Sequence, residues 1–445
     1  MPSDKSLAKQ FDTWLGGHFK PNEPGISVIV VRDGKAVFRN GYGMANVELG
    51  VPIKPEMVFR LGSITKQFTA VAILMLMERG KLALTDRITK FIPKYPTHGH
   101  KITIEHLLTH TSGIKSYTDM PEFWKDMKED KSVEEHIAFF KDQPMDFKPG
   151  ERWKYNNSGY FLLGAIIEKV SGQTYEAFLK QHIFDKLGMA DTHYDLPNKI
   201  IAGRVQGYGK NASNTIENAA YISMTRPYAA GSLASSVDDL AKWDAALYAN
   251  KLLKQSTLKQ AWTPLTLKSG KHTHYGYGWA ILQDEGATFI EHGGGINGFL
   301  THALRISEQR LYVAALANTM SPALNPDFVA SSLALALLGQ PYHEPEPITL
   351  SKAALAKFVG RYKIDDQQTV ALTLKASQLF IQFHEGMTPT AIYAVAPNEF
   401  VMKDRIVLVR FTRDATGTVD GYQFFDRGTL IATAIREVNQ NKVES

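Results

Sequence analysis

The chain has 445 residues, too many for one small core and enough for two or three domains. Hydrophobic residues make up 44% and charged residues 21%, as in ordinary folded proteins, and the net charge of +5 is too weak and scattered to propose nucleic acid as a partner. The absence of cysteine excludes disulfides, thiolate zinc sites and a cysteine nucleophile.

The first fifteen residues, MPSDKSLAKQFDTWL, have the spacing of an amphipathic helix and lack the apolar stretch of a secretory signal. The expectation is a periplasmic or secreted protein shown in processed form with an added Met1, with a cytoplasmic protein as the alternative. Next, GISVIVVRDGKAVFRNGYG places two β-rich runs around Asp33-Gly34, a strong hairpin signal. A helix follows Ser63 and stops at Gly80. Its apolar run, Val71–Met77, is far shorter than the ~20 residues of a bilayer span, so no membrane span is expected.

Helical patterns dominate from Thr85 to Gly188, and VDDLAKWDAALYANK is a further amphipathic helix. Strand character returns in YGYGWAIL, ATFIEHGG, FLTHALRI and RLYVAALAN, and DFVASSLALALLG reads as a closing helix. QPYHEPEPITL, with three prolines and no periodicity, reads as a linker. Beyond it come short alternating runs: TVALTLKA, QLFIQFH, AIYAVA, EFVMK, VLVRFTRD and VDGYQFFD. They predict an antiparallel sheet or small barrel. The expected organisation is a domain over 1–340, a linker over 341–350, a β domain over 351–437 and a tail over 438–445.

Three segments carry candidate chemistry. In Ser63-Ile64-Thr65-Lys66 the helix spacing puts hydroxyl and amine on one face, with Cβ atoms ~5–6 Å apart. A serine hydroxyl needs a base, and a lysine can serve only when burial or a nearby cation keeps its amine neutral. An N-cap serine beside a surface lysine would give the same four letters. In WKYNNSGYFLLG, Tyr155 and Asn157 alternate and point the same way if the loop is extended, although a core tyrosine followed by turn residues fits as well. In FIEHGGGINGFL, Gly293, Gly295 and Gly298 match a dinucleotide fingerprint, but the next segment alternates like a strand and the required acidic residue is missing. A strand edge along which a substrate can lie, with His292 lining the same cleft, fits better.

Taken together, Ser63-Ile64-Thr65-Lys66, Tyr155-Asn156-Asn157 and His292-Gly293-Gly294 resemble, in order, the S-x-x-K, Y-x-N and K-T-G/H-x-G motifs of the serine β-lactamase and penicillin-recognising superfamily. The resemblance is greatest to its class C branch, which includes D-aminopeptidases, D,D-carboxypeptidases and carboxylesterases. ITIEHLLTHTSGI, AAGSLASSVDDLAKW and YGYGW are similar to further stretches of that branch, and residues 351–437 resemble a lipocalin-like domain that some members append. The resemblance implies an α/β (α+β) fold: an antiparallel sheet flanked by helices, an all-helical subdomain, and here an added C-terminal antiparallel barrel.

It also implies roles. Ser63 would be the nucleophile, Lys66 its activator and Tyr155 the proton shuttle to the leaving group. Asn157 would position lysine and substrate, and His292, Gly293, Gly294 and Gly295 would line the substrate strand. The backbone N–H groups of Ser63 and Gly295 would form the oxyanion hole. No metal and no organic cofactor is implied. The partner is a small-molecule or peptide substrate, and oligomeric state stays open.

His292 departs from the lysine of K-T-G. A lysine is a permanent cation for a substrate carboxylate, whereas a histidine with pKa near ~6.5 is mostly neutral at pH 7. Esters, amides and D-amino-acid peptides are therefore expected as better substrates than penicillins or free D-Ala-D-Ala ends. A β-lactamase or D,D-carboxypeptidase is the alternative, and a non-catalytic penicillin-binding or sensory module the second. The α/β-hydrolase reading fails for want of G-x-S-x-G. His98, His100, His272 and His274 lack carboxylates at ligand spacing, His106 and His110 are expected to be structural, and Tyr275 or Tyr277 is a candidate substrate contact.

Overall fold

A computed structural model of the chain describes residues 3–284, 286–365, 368–383 and 389–437. The expected tail, 438–445, lies outside the described residues. Two compact units are distinguishable: Met1–Ile281 with Phe289–Gly339, and Leu282–Thr288 with Gln340–Ser445.

The N-terminal helix α1 (Asp4–His18) buries Leu7, Phe11 and Leu15 along one stripe and is capped by the Ser3 side chain. Strands β1 (Ile26–Arg32) and β2 (Lys35–Tyr42) form the expected hairpin. Asp33 and Gly34 take φ of 51° and 73°, the conformation that a two-residue turn between twisted strands requires. Four later strands, β3 (Ala280–Asp284), β4 (Ala287–Ile296), β5 (Phe299–Ile306) and β6 (Leu311–Ala317), complete a six-stranded sheet in the order β3-β4-β5-β6-β1-β2. The hairpin β1–β2 thus joins the sheet beside the last strand of the set, and the pairs β4–β5, β5–β6 and β6–β1 are all antiparallel. YGYGW, expected in a strand, is instead a loop leading into β3, with Gly278 at φ 86° against the Lys66 carbonyl.

Along the chain, several helices come between β2 and β3. Helix α2 (Thr65–Glu78) is buried on every side from Thr65 to Leu76, which is why its sequence shows no polar face. Phe68 stacks on Trp243 at 4.2 Å, tying α2 to α4 (Val237–Tyr248), while α3 (Asn157–Ser171) runs from an Asn156 cap to Gly172 at φ 72°. Helix α5 (Pro326–Leu337) follows β6.

The second unit contains a closed eight-stranded barrel whose neighbouring strands are antiparallel. Six of its strands match the alternating runs of the sequence. The other two, Gly360–Lys363 and Thr429–Arg436, close it through the pairing of Tyr362 with Arg436. Its centre is packed with Phe358, Phe400, Phe411, Tyr362 and Tyr422.

Candidate active site

Ser63 stands in a 3₁₀ turn, Gly62–Ile64, that runs directly into α2. Neither turn nor helix has a side-chain cap, so the Ser63 hydroxyl is not engaged as an N-cap. It faces Lys66, whose Nζ lies 3.1 Å from Oγ. The same Nζ donates to Asn157 Oδ1 at 2.8 Å and to the Ala230 carbonyl at 2.8 Å. Asn157 is oriented for this by its Nδ2, which donates to Thr118 Oγ1 at 3.1 Å. Lys66 is fully buried, and among the described residues no carboxylate pairs with it. Burial therefore pushes its pKa well below the ordinary lysine value.

That environment decides how the three contacts are shared. A neutral amine has two N–H bonds and one lone pair. Asn157 Oδ1 and the Ala230 carbonyl can only accept, so they take the two hydrogens. The lone pair is left for the Ser63 O–H, the arrangement a general base needs.

Tyr155 comes from the strand-like approach to α3, and its ring centroid is 4.8 Å from Lys66 Nζ. Its hydroxyl is buried and makes no hydrogen bond of ordinary geometry among the described residues. Burial raises its pKa, and the Ser63 hydroxyl acts in the opposite sense. Tyr155 at rest is thus a phenol, a proton donor in waiting. His110 packs on it at 4.5 Å between ring centroids and holds the loop by accepting the Asn156 N–H at 3.1 Å.

The glycine run lies in β4, facing β5 in the register Gly293 to His302 and Gly295 to Leu300. It is followed by a tight turn and a strand rather than a helix. Its small residues permit two close approaches. A Cβ on Gly294 would stand 2.0 Å from the Leu61 carbonyl oxygen, and one on Gly62, at φ 53°, would stand 2.9 Å from the Gly295 nitrogen. The strand edge is so brought against the Ser63 turn, and Thr301 Oγ1 donates to the Leu61 carbonyl at 2.8 Å to hold it there.

His292 is buried, with Nδ1 donating to the Gly293 carbonyl at 2.6 Å and Nε2 accepting from the Tyr275 hydroxyl at 2.8 Å. Burial is the main cause that lowers its pKa to about 3, and a proton on the nearby Lys66 would act in the same sense. Both nitrogens are engaged as a neutral ring requires. An open pocket at Ser63 is walled by Tyr117, Phe123, Trp124, Ile222, Pro227 and Ile296, with the polar side chains of Thr118, Asn157 and Asn297 among them.

Every residue singled out from the sequence, Ser63, Lys66, Tyr155, Asn157, His292 and Gly293 to Gly295, lies in this neighbourhood or on the strand bordering it. Sequence reasoning missed the Ala230 carbonyl, Thr118 and the buried role of Tyr275. The stretch AAGSLASSVDDLAKW pointed near Ala230 through resemblance alone, because a backbone carbonyl leaves no mark on residue type.

A family model described as Beta-lactamase matches residues 8–337. The chain belongs to the beta-lactamase family. Penicillin-binding protein 4* of Bacillus subtilis (strain 168) is 28% identical over 412 residues, 87% of this chain and 89% of that protein. A D-aminopeptidase of Gluconobacter oxydans (strain 621H) is 27% identical over 346 residues, 75% of this chain and 62% of that protein. The solved structure of an octameric penicillin-binding protein homologue from Pyrococcus abyssi superposes with a TM-score of 0.68 at 28% identity, covering 97% of this chain and 99% of that one. Membership of the beta-lactamase family supports a serine hydrolase in general terms and does not fix a substrate. Among the described residues no helix is long and apolar enough to cross a membrane.

Proposed function

We propose that the chain is a serine hydrolase that works through an acyl-enzyme on Ser63, with Lys66 as base. The observation that carries this is the sharing of contacts at Lys66 Nζ: two acceptor oxygens at 2.8 Å and the Ser63 oxygen at 3.1 Å, in a buried setting without a carboxylate.

In this mechanism Lys66 takes the Ser63 proton as Oγ attacks the substrate carbonyl. The charge that Lys66 acquires is met by the faces of Tyr155 and Tyr160, at 4.8 and 5.5 Å. The developing oxyanion is received by the backbone N–H groups of Ser63 and Gly295. Tyr155, protonated at rest, donates to the leaving group and is reprotonated by way of Lys66. Water then hydrolyses the acyl-enzyme along the same path in reverse.

The substrate class follows from two neutral features. His292 offers no cation to a carboxylate, and the pocket lining, Tyr117, Phe123, Trp124 and Ile222 beside Thr118, Asn157 and Asn297, carries no formal charge. Esters, amides or D-amino-acid peptides whose group at that end is uncharged suit this site, and the D-aminopeptidase relative is consistent with it. A β-lactamase or D,D-carboxypeptidase would need the missing cation.

The test is intact-protein mass spectrometry after treatment with a fluorophosphonate, followed by a panel of esters, D-amino-acid amides and cephalosporins. A mass increment mapped to Ser63, absent in Ser63→Ala, is expected. No label on Ser63 sinks the acyl-enzyme, and cephalosporin turnover at the rate of a dedicated β-lactamase sinks the substrate argument.

A further inference from the structure

On the face of β4 away from His292, a second cluster draws Glu291, His302 and Asp327 together. Successive strand residues alternate faces, so Glu291 and Gly293 share one side while His292 takes the other. His302 pairs with Gly293 and is therefore the diagonal neighbour of Glu291 on the same face. Asp327 reaches the pair from the first turn of α5. Glu291 and His302 are buried and Asp327 is partly exposed.

The spacing of their donor atoms is informative. His302 Nε2 lies 3.4 Å from Glu291 Oε2 and 3.5 Å from Asp327 Oδ1, and the three ligand atoms lie within 4.8 Å of one another. A histidinium hydrogen-bonded to carboxylates would close to about 2.7–2.9 Å. Two ligands of a tetrahedral zinc with bonds of about 2.1 Å stand about 3.4 Å apart, the edge of that tetrahedron. The small octahedral shell of magnesium would draw them to about 3.0 Å and favours oxygen over imidazole. Gly293 leaves the room this needs, since a Cβ there would come within 3.3 Å of His302 Nδ1. Ser331, one turn further along α5, donates to Asp327 Oδ1 at 3.4 Å, in the position of an outer hydrogen bond that orients a ligand.

We propose that Glu291, His302 and Asp327 form a zinc site, with water as the fourth ligand at the exposed Asp327 side. The ion would clamp β4 to β5 and α5. The next residue along β4 is His292, and Gly295 follows three further on, so the clamp steadies from behind the strand that borders the Ser63 pocket. It takes no part in bond making and stands whether or not Ser63 is a nucleophile.

To test this, untagged full-length protein is stripped with EDTA, reloaded with zinc chloride alone, desalted and assayed for metal by inductively coupled plasma mass spectrometry. About one zinc per chain is expected, with Ser63→Ala unchanged. Asp327→Asn and His302→Gln are expected to lose zinc at least about tenfold at the same total metal. Zinc is also expected to raise the wild-type Tm by a few degrees and to leave that of Asp327→Asn unmoved. The Asp327 variant, altered at the exposed edge, decides the matter if His302→Gln does not fold. Less than a tenth of an equivalent in the wild type, or full zinc retained in a folded variant, overturns the site.

Discussion

The larger unit buries Lys66, His110, Asp195, Asp239, Glu291, His292, His302 and Arg305, whereas in the barrel unit Arg427 is the one charged side chain buried among the described residues. Burying polar groups costs stability unless each finds a partner. The barrel avoids that cost with a ring cluster, in which Phe358 and Phe411 lie 4.6 Å apart and Tyr362 and Tyr422 5.4 Å apart. Its residues are arranged for packing. In the larger unit Lys66, His110 and His292 lie around Ser63 and Tyr155, where a perturbed proton affinity has a use. The other buried charges are paired elsewhere, as Asp195 is with Arg60 and Arg305 with Asp244. The chemistry thus lies in the larger unit, beside an extensive apolar core of its own, whereas the barrel is built on packing alone.

This contrast can be broken by substitution. The largest effect is expected at the pair itself: Ser63→Ala or Lys66→Ala should lower kcat by about 10⁴-fold or more, measured on an activated ester, while leaving the Ser63→Ala melting curve within about 1 kcal/mol of wild type. Phe411→Ala should do the reverse. It should cost the barrel about 3–5 kcal/mol in a denaturant titration, with fluorophosphonate labelling of Ser63 undiminished wherever the larger unit stays folded. Loss of labelling in that variant would show that the two units do not divide the work as argued.

Gly294→Ala probes both properties at once. Its Cβ would meet the Leu61 carbonyl oxygen at 2.0 Å, so β4 or the Ser63 turn must shift. A loss of about 10² in kcat/KM and of about 1–3 kcal/mol in stability is expected. The mildest test is the pH profile. Activity should fall on the acid side as Lys66 gains a proton, with an inflection far below the ~10.4 of a free lysine. No step should appear near ~6.5 from His292, whose pKa is held at about 3. The same depression at Lys66 costs folding free energy at neutral pH, because the unfolded chain holds a proton that the folded one lacks. That cost fades as pH rises towards ~10.4.

How much of this was legible in the sequence varies by element. The Asp33-Gly34 hairpin and the long strands of the sheet were, because turn chemistry and apolar runs are local signals. In the barrel, six alternating runs were visible. Gly360–Lys363 is short, and Thr429–Arg436 carries its alternation weakly, with Ile435 exposed and Ala432 and Ala434 in place of larger residues. Closure rests on those two strands and is a long-range pairing, so it could not be read locally. At the site, the one-turn spacing of Ser63 and Lys66 was plain. The lowered proton affinity of Lys66 was not, since it depends on burial, and neither was its contact with the Ala230 carbonyl, 164 residues away. The Glu291–His302–Asp327 cluster was likewise hidden, because its spacing exists only across paired strands and a helix.

The Ser63 pocket is lined by Tyr117, Phe123, Trp124, Ile222, Pro227 and Ile296 together with Thr118, Asn157 and Asn297, none of which carries a formal charge to steer a substrate. Substrates must arrive by unaided diffusion, in the ~10⁵–10⁷ M⁻¹s⁻¹ range of unsteered encounters. Ionic strength then has little to screen, and the enzyme should work alike in dilute buffer and in brine.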